Sequence, residues 1–353
     1  MELKKYIKEL ELGSTKNKKI KLKNNIIVAP MAGITDRAFR QINYEISDIA
    51  LIYDEMVSAK AVVYKDQKTL NMLKAFEGED ERIRGIQLFG DDPKDFKNAI
   101  LEIKQREKEG LLNIDIIDIN MGCPAPKVVK NGAGCFILKN LKLASEIAKE
   151  ARSVWNKVLG FKIRIGISEE SINAKEVCKI LEKEGADYII IHARTYEGMF
   201  SAEPNYDIVR EIKNEANIPI IYNGGIFSKE DAASAFEKTN ADGICIARGA
   251  FLNPYLVSEL APKDKDKNKK ENKENKEKKE KKEKLIKQIR RHFELNVKYL
   301  GEKRGATEFR KNLIWYSKAF EGSNVLRSKI SLLKDKESFK IFDEELKKLN
   351  LKK

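Results

Sequence analysis

Short apolar runs punctuate the first 250 residues: Ile26–Ala29, Ile49–Tyr53, Gly85–Phe89, Ile114–Ile119, Phe161–Ile165, Tyr188–His192, Pro219–Tyr222 and Gly243–Ala247. They are nearly continuous rather than alternating, as strands covered on both faces read. Between them the period changes to that of helices. Asp92 and Pro93 supply an N-cap and a first-turn proline ahead of Phe96, Ile100, Leu101 and Ile103, and Gly110 ends that helix. Ser168 precedes a predicted helix carrying Ile172, Val177, Ile180 and Leu181 that stops near Gly185, and Ser228 with Asp231 has the spacing of a capping box. Strand and helix alternating eight times, at a mean spacing of about 30 residues, predict the α/β class and a (β/α)8 TIM barrel. An open doubly wound sheet competes, but it carries a glycine-rich loop after its first strand. Here that strand runs into Ala29-Pro-Met-Ala-Gly33, which is no such loop.

The pattern changes after residue 262. Lys263–Lys284 holds only Lys, Glu, Asp and Asn, which predicts a solvated linker or a fraying charged helix. Leu285, Ile286, Ile289, Phe293, Val297 and Leu300 then share one helical stripe, and amphipathic stretches cover Thr307–Phe320, Asn324–Leu333 and Ser338–Leu349. The expected organisation is a barrel over residues 1–262, a linker over 263–284 and a small C-terminal helical bundle over 285–353.

Charge sharpens this division. The chain of 353 residues has a net charge of +14, yet residues 1–262 hold 39 Lys and Arg against 39 Asp and Glu, so all the excess lies downstream. A polyanion such as a nucleic acid gripped by the C-terminal part would explain it; a merely solvated basic surface is the alternative. Four cysteines form no Cys-x-x-Cys pair and two histidines have no zinc spacing, so a reduced protein without a metal site is expected. The charged N-terminus and the lack of an 18-residue apolar stretch predict a cytoplasmic protein with no membrane segment. It is expected to act as a monomer.

In a barrel, functional side chains gather where the strands end. Cys123 lies in Asn120-Met-Gly-Cys-Pro124, on the turn leaving the fourth run. It is a candidate for chemistry, with a packed structural cysteine as the alternative. Asn223, Gly224 and Gly225 after the seventh strand, and Ala247 and Arg248 after the eighth, occupy the usual phosphate-binding loops. Lys162 and Arg164 share one strand face, where a ligand anion or a structural ion pair would have to accompany them. Gln87 lies in the third run and His192 ends the sixth. A lysine, a histidine, a glutamine and a phosphate cradle together suit a bound flavin mononucleotide (FMN).

At this point the chain resembles the bacterial-type tRNA-dihydrouridine synthases. The resemblance rests on Ala29-Pro-Met-Ala-Gly-Ile-Thr-Asp-Arg-Ala-Phe-Arg40, Glu55-Met56, Asn120-Met-Gly-Cys-Pro-Ala-Pro-Lys127, Gly132-Ala-Gly134, Lys162-Ile-Arg-Ile-Gly166, His192-Ala-Arg-Thr195 and Asn223-Gly224. It implies that Pro30, Met31 and Ala32 back the flavin, that Gln87, Lys162 and His192 contact it, and that Asn223–Gly225 with Ala247 and Arg248 hold its tail. It further implies that NADPH or NADH reduces FMN, that hydride reaches C6 of a flipped-out D-loop uridine, and that Cys123 protonates C5. Glu55, Asn120, Arg164, Arg194, Arg310 and Lys311 would then face tRNA, while Trp315 packs the bundle. Ala247, Gly225 and Asn312 stand where the family often has Gly, Asp and His. An FMN-dependent dehydrogenase of a free pyrimidine and a non-catalytic RNA-binding barrel are the competing readings.

Overall fold

The apolar runs become parallel strands, and one of them is broken in two. The computed structural model describes residues 3–13, 18–263 and 274–352. After an antiparallel hairpin, β1 (Leu10–Leu12) and β2 (Ile20–Leu22), come β3 (Ile26–Val28), β4 (Leu51–Ile52), β5 (Met56–Ser58), β6 (Gly85–Phe89), β7 (Ile116–Met121), β8 (Val158–Arg164), β9 (Tyr188–His192), β10 (Ile220–Asn223) and β11 (Gly243–Ile246). Their order is β4-β3-β11-β10-β9-β8-β7-β6-β5. The two ends of this sheet are consecutive in the chain, and the residues between them bond to both neighbours. Tyr53 N donates to Val28 O at 3.1 Å and Asp54 N to Gly85 O at 3.0 Å. The sheet therefore closes as a TIM barrel whose expected second strand is split into β4 and β5, because its backbone serves β3 with one half and β6 with the other.

Period two then sets what faces inward. Leu51, Tyr53, Ile116, Val158, Tyr188, Ile190, Ile221 and Cys245 form the interior cluster, and Leu10, Leu12, Ile20 and Leu22 of the hairpin pack onto it. Apolar layers fill the amino-terminal end of the barrel, and polar side chains gather at the carboxyl end. Asp92 caps helix Pro93–Lys108 through Lys94 N, and Ser228 with Asp231 forms the expected capping box of Lys229–Thr239. Leu101, counted above with the packing residues of the first helix, is exposed instead. Ser168 also departs from expectation: it caps a 3-10 turn, Glu169–Ser171, and the α-helix starts only at Ala174, so Ile172 lies in the connection.

Two compact units make up the chain. One comprises Met1–Asp36 and Ala50–Ala247; the other comprises Arg37–Ile49 and Arg248–Lys353. In the second, helix Arg37–Ile46 packs Ala38 and Ile42 on Leu295 of helix Glu274–Leu300, and Arg291 forks onto Glu45 at 2.7 and 2.9 Å. Leu285, Ile286, Ile289 and Phe293 join Phe309, Leu313, Phe339 and Phe342 in the core of this unit. Part of the charged tract is helical rather than linker, since Glu274–Lys284 opens that 27-residue helix. Lys and Glu have high helix propensity, and tertiary packing of Leu285 onward nucleates what they then extend. Residues 264–273 of the tract lie outside the described residues.

Candidate active site

The carboxyl ends of β6 to β10 carry an inward layer of Gln87, Asn120, Lys162, His192 and Asn223. Lys162 Nζ donates to Asn223 Oδ1 at 3.0 Å, and Asn223 Nδ2 donates to the Cys245 carbonyl at 2.6 Å. Burial pulls the Lys162 ammonium below its usual pKa, against the attraction of Cys245 and Asp118. Gln87 Nε2 donates to Asp118 Oδ2 at 2.6 Å, and Gln87 Oε1 accepts from Asn120 Nδ2 at 2.7 Å. Burial raises the Asp118 carboxyl to about 7, opposed by hydrogen bonds from Gln87 and Tyr188 and by the charge of Lys162.

Cys123 stands half-buried on the turn after β7. Asn120 Oδ1 accepts from both Gly122 N at 3.2 Å and Cys123 N at 2.9 Å, which fixes the turn. Gly134 lies against it with φ +63°; a Cβ there would fall 2.6 Å from the Cys123 carbonyl oxygen. Burial pushes the Cys123 thiol above its usual pKa, opposed by a backbone hydrogen bond at Ala125 and by Lys162 and Arg164. The thiol is therefore protonated at neutral pH.

Gly224 and Gly225 turn with φ of +135° and +66°, conformations that favour glycine. A Cβ on Gly224 would sit 3.3 Å from His192 Cδ2 and 3.4 Å from an Arg194 nitrogen, so the close approach also calls for a missing side chain. The Arg194 guanidinium lies between His192 Nε2, at 3.3 Å, and the carbonyl of Ala202, at 2.5 Å. It thus stands beside the glycine turn, in a concavity whose lining mixes Arg194, Arg210 and Lys238 with Glu169, Glu203 and Asp207.

Pro30 and Met31 are half-buried and Ala32 is exposed, on a turn that Thr35 closes by bonding Met31. Glu55 accepts a hydrogen bond from Gly33 N in the same turn. Arg164 is 1% exposed, and its guanidinium bonds the carbonyls of Gly122, Thr195 and Met199. Asn120 likewise spends both ends of its amide on the protein. These two are holding groups in this geometry rather than open contacts. Ala247 ends the first unit, and Arg248 begins the second, as the residue before helix Gly249–Leu252. In the second unit Arg310 Nε bonds the Leu333 carbonyl at 2.8 Å, Lys311 meets Glu308 at 3.3 Å, and Trp315 packs on Phe251 at 4.4 Å. Sequence reasoning passed over Asp118, although a second acid within Ile114-Asp-Ile-Ile-Asp-Ile119 was its signal. It also passed over Phe200, an exposed ring 6.1 Å from His192. Among the described residues no cluster of His, Cys, Asp or Glu could hold a metal, and no helix is long and apolar enough to cross a membrane.

Residues 27–351 match the sequence model of the dihydrouridine synthase (Dus) family. A probable tRNA-dihydrouridine synthase of Rickettsia conorii is 32% identical over 316 residues, covering 90% of this chain and 91% of that one. A tRNA-dihydrouridine synthase B of Pasteurella multocida is 33% identical over 318 residues, covering 89% and 90%. Among solved structures, 6-hydroxypseudooxynicotine amine oxidase of Pseudomonas geniculata shares the fold with a TM-score of 0.54 at 13% identity; the match covers 73% of this chain and about half, 49%, of that one.

Proposed function

This chain belongs to the dihydrouridine synthase family, and from that premise we infer that it is a tRNA-dihydrouridine synthase, reducing the C5–C6 double bond of D-loop uridine to 5,6-dihydrouridine. The observation that carries the reading is the family match across 27–351 together with a protonated thiol on the turn at the barrel mouth.

The residues at the mouth fit FMN. The Gly224–Gly225 turn leaves a cradle that a Cβ would fill, and its backbone N–H groups suit a phosphate monoester. Lys162 suits the electron-rich edge of the ring, with His192 lining it and Pro30, Met31 and Ala32 behind it, while Gln87, both ends of its amide bonded within the barrel, supports this layer instead of contacting the ring. Ala247 and Arg248, on the separate turn after β11, are proposed from the sequence for the flavin's tail. When bound, FMN reduced by NADPH or NADH supplies the hydride for C6 of the base. Cys123 Sγ–H gives its proton to C5, and solvent restores it. Glu55 and Arg194 remain candidates for contact with the extruded uridine. Arg310 and Lys311, with exposed Lys303 and Arg304 on helix Glu302–Ser317, form a basic face for phosphates in the helical unit. The basic excess of this unit favours tRNA over a free pyrimidine as substrate.

The test is to incubate the purified protein with FMN, NADPH and tRNA transcribed without modifications, and to analyse the nucleosides by mass. Dihydrouridine in the tRNA is expected. Reduction of uracil or orotate with none in tRNA would favour the free-pyrimidine reading.

A further inference from the structure

The buried carboxylate of Asp118 has no part in the proposed chemistry, yet it ends a continuous chain of hydrogen bonds. Asn120 Oδ1 is occupied by the Gly122 and Cys123 N–H groups. Its Nδ2 must then face Gln87, which can only answer with Oε1, at 2.7 Å. That leaves Gln87 Nε2 pointing down the barrel to Asp118 Oδ2 at 2.6 Å. Tyr188 donates to the other oxygen, Oδ1, at 3.3 Å, and the Tyr53 hydroxyl in turn meets that of Tyr188. Space for the two rings comes from glycines in the strands: a Cβ on Gly85 would overlap the Tyr53 ring, and one on Gly160 the Tyr188 ring.

We propose that Asp118 is a positioning residue for Cys123 as one member of a directional relay: the Gly122 and Cys123 N–H groups set the sense of the Asn120 amide, and Asp118 completes that sense by accepting from Gln87 Nε2, which holds the turn that presents the thiol. A carboxyl serves in either protonation state, since the oxygen facing Gln87 accepts in both. A donor facing Gln87 from below would reverse its amide and set the Asn120 N–H against the backbone N–H groups it now caps. The catalytic part of this inference rests on the proposed function.

The test uses isosteric variants and two readouts. In Asn120→Asp, assayed well above the Asp118 pKa of about 7 so that both carboxyls are ionised, an acceptor faces Gln87 from both ends and no amide orientation satisfies the relay. In the double variant Asp118→Asn with Asn120→Asp, Gln87 can flip and the whole relay runs in reverse. Alkylation of Cys123 by iodoacetamide, followed by peptide mass analysis, is expected to speed up several-fold in Asn120→Asp and to return toward the parent rate in the double variant. Asp118→Asn alone keeps the original direction, because the Tyr188 hydroxyl can accept as well as donate, and should alkylate like the parent. The kcat for tRNA reduction should fall about 10- to 100-fold in Asn120→Asp, the scale expected for a misplaced catalytic group, and recover in the double variant. A double variant no better than Asn120→Asp in either readout would overturn the proposal. A parent protein that makes no dihydrouridine while alkylation follows the stated pattern would overturn the function and leave the relay standing.

Discussion

Arg164 Nε donates to the carbonyl of Gly122 at 3.0 Å, tying β8 to the turn that carries Cys123. The same guanidinium reaches Thr195 O at 2.7 Å and Met199 O at 3.3 Å, so one buried side chain joins the loops after β7 and β9. Lysine cannot fork in this way. Arg164→Lys is expected to lose about 2–3 kcal/mol in denaturant unfolding, the cost of buried carbonyls left without donors. It should also speed proteolytic cleavage within residues 195–201.

Cys123→Ala removes the proposed acid and little else, since the side chain is only half-buried. Stability should change by less than about 1 kcal/mol, and flavin and tRNA binding should persist. Turnover to dihydrouridine should stall. Because burial raises the thiol pKa, the parent's kcat should hold through neutral pH and decline only where the thiol ionises, above its ordinary range. A kcat falling between pH 6 and about 8 with a thiolate's titration would contradict the role.

Gly134→Ala should misplace the same turn from the opposite side. Its φ of +63° disfavours a side chain, and the added Cβ would meet the Cys123 carbonyl oxygen at 2.6 Å. A loss of about 1–3 kcal/mol in unfolding free energy is expected, with a larger proportional loss of kcat than of tRNA affinity.

Two buried groups give pH dependences of opposite sign. Asp118, faced by Gln87, Tyr188, Lys162 and Cys245, is raised from 3.8 to about 7 in the fold. Between those values the folded state holds the proton more tightly than the unfolded one, so stability declines as pH rises through that window. Asp118→Asn should flatten the fall in melting temperature between pH 3.8 and about 7. His292 is lowered from 6.5 to about 3 by burial and by Lys311, among the rings of Phe39, Phe309 and Tyr316. There the unfolded state binds the proton first, so stability is lost as pH falls below 6.5. His292→Gln should make acid unfolding of the helical unit shallower.

The barrel was legible because its strands are continuous apolar runs and its helices carry explicit caps at Asp92 and Ser228. The split of the second strand was not, since Tyr53 and Asp54 differ from their neighbours only in which backbone they bond. Of the two readings of the charged tract, the helix is the one found over Glu274–Lys284, because the apolar stripe that follows packs and carries its helix back into the tract. At the mouth, period two brought Lys162 and Arg164 to one face, but not the depth that separates them. Lys162 meets Asn223 within the polar layer, whereas Arg164 is sealed behind the Cys123 turn. Asp118 was hidden because a lone acid within an apolar run acquires meaning only from Gln87 and Tyr188, distant in sequence.

Whether this protein reduces uridine in tRNA is answered by position-resolved mapping of dihydrouridine in tRNA from cells with and without it. Loss of dihydrouridine at one or more D-loop positions, restored by the parent gene but not by Cys123→Ala, is the result expected. An unchanged dihydrouridine map in cells that lack both the protein and any other synthase acting at those positions would contradict it.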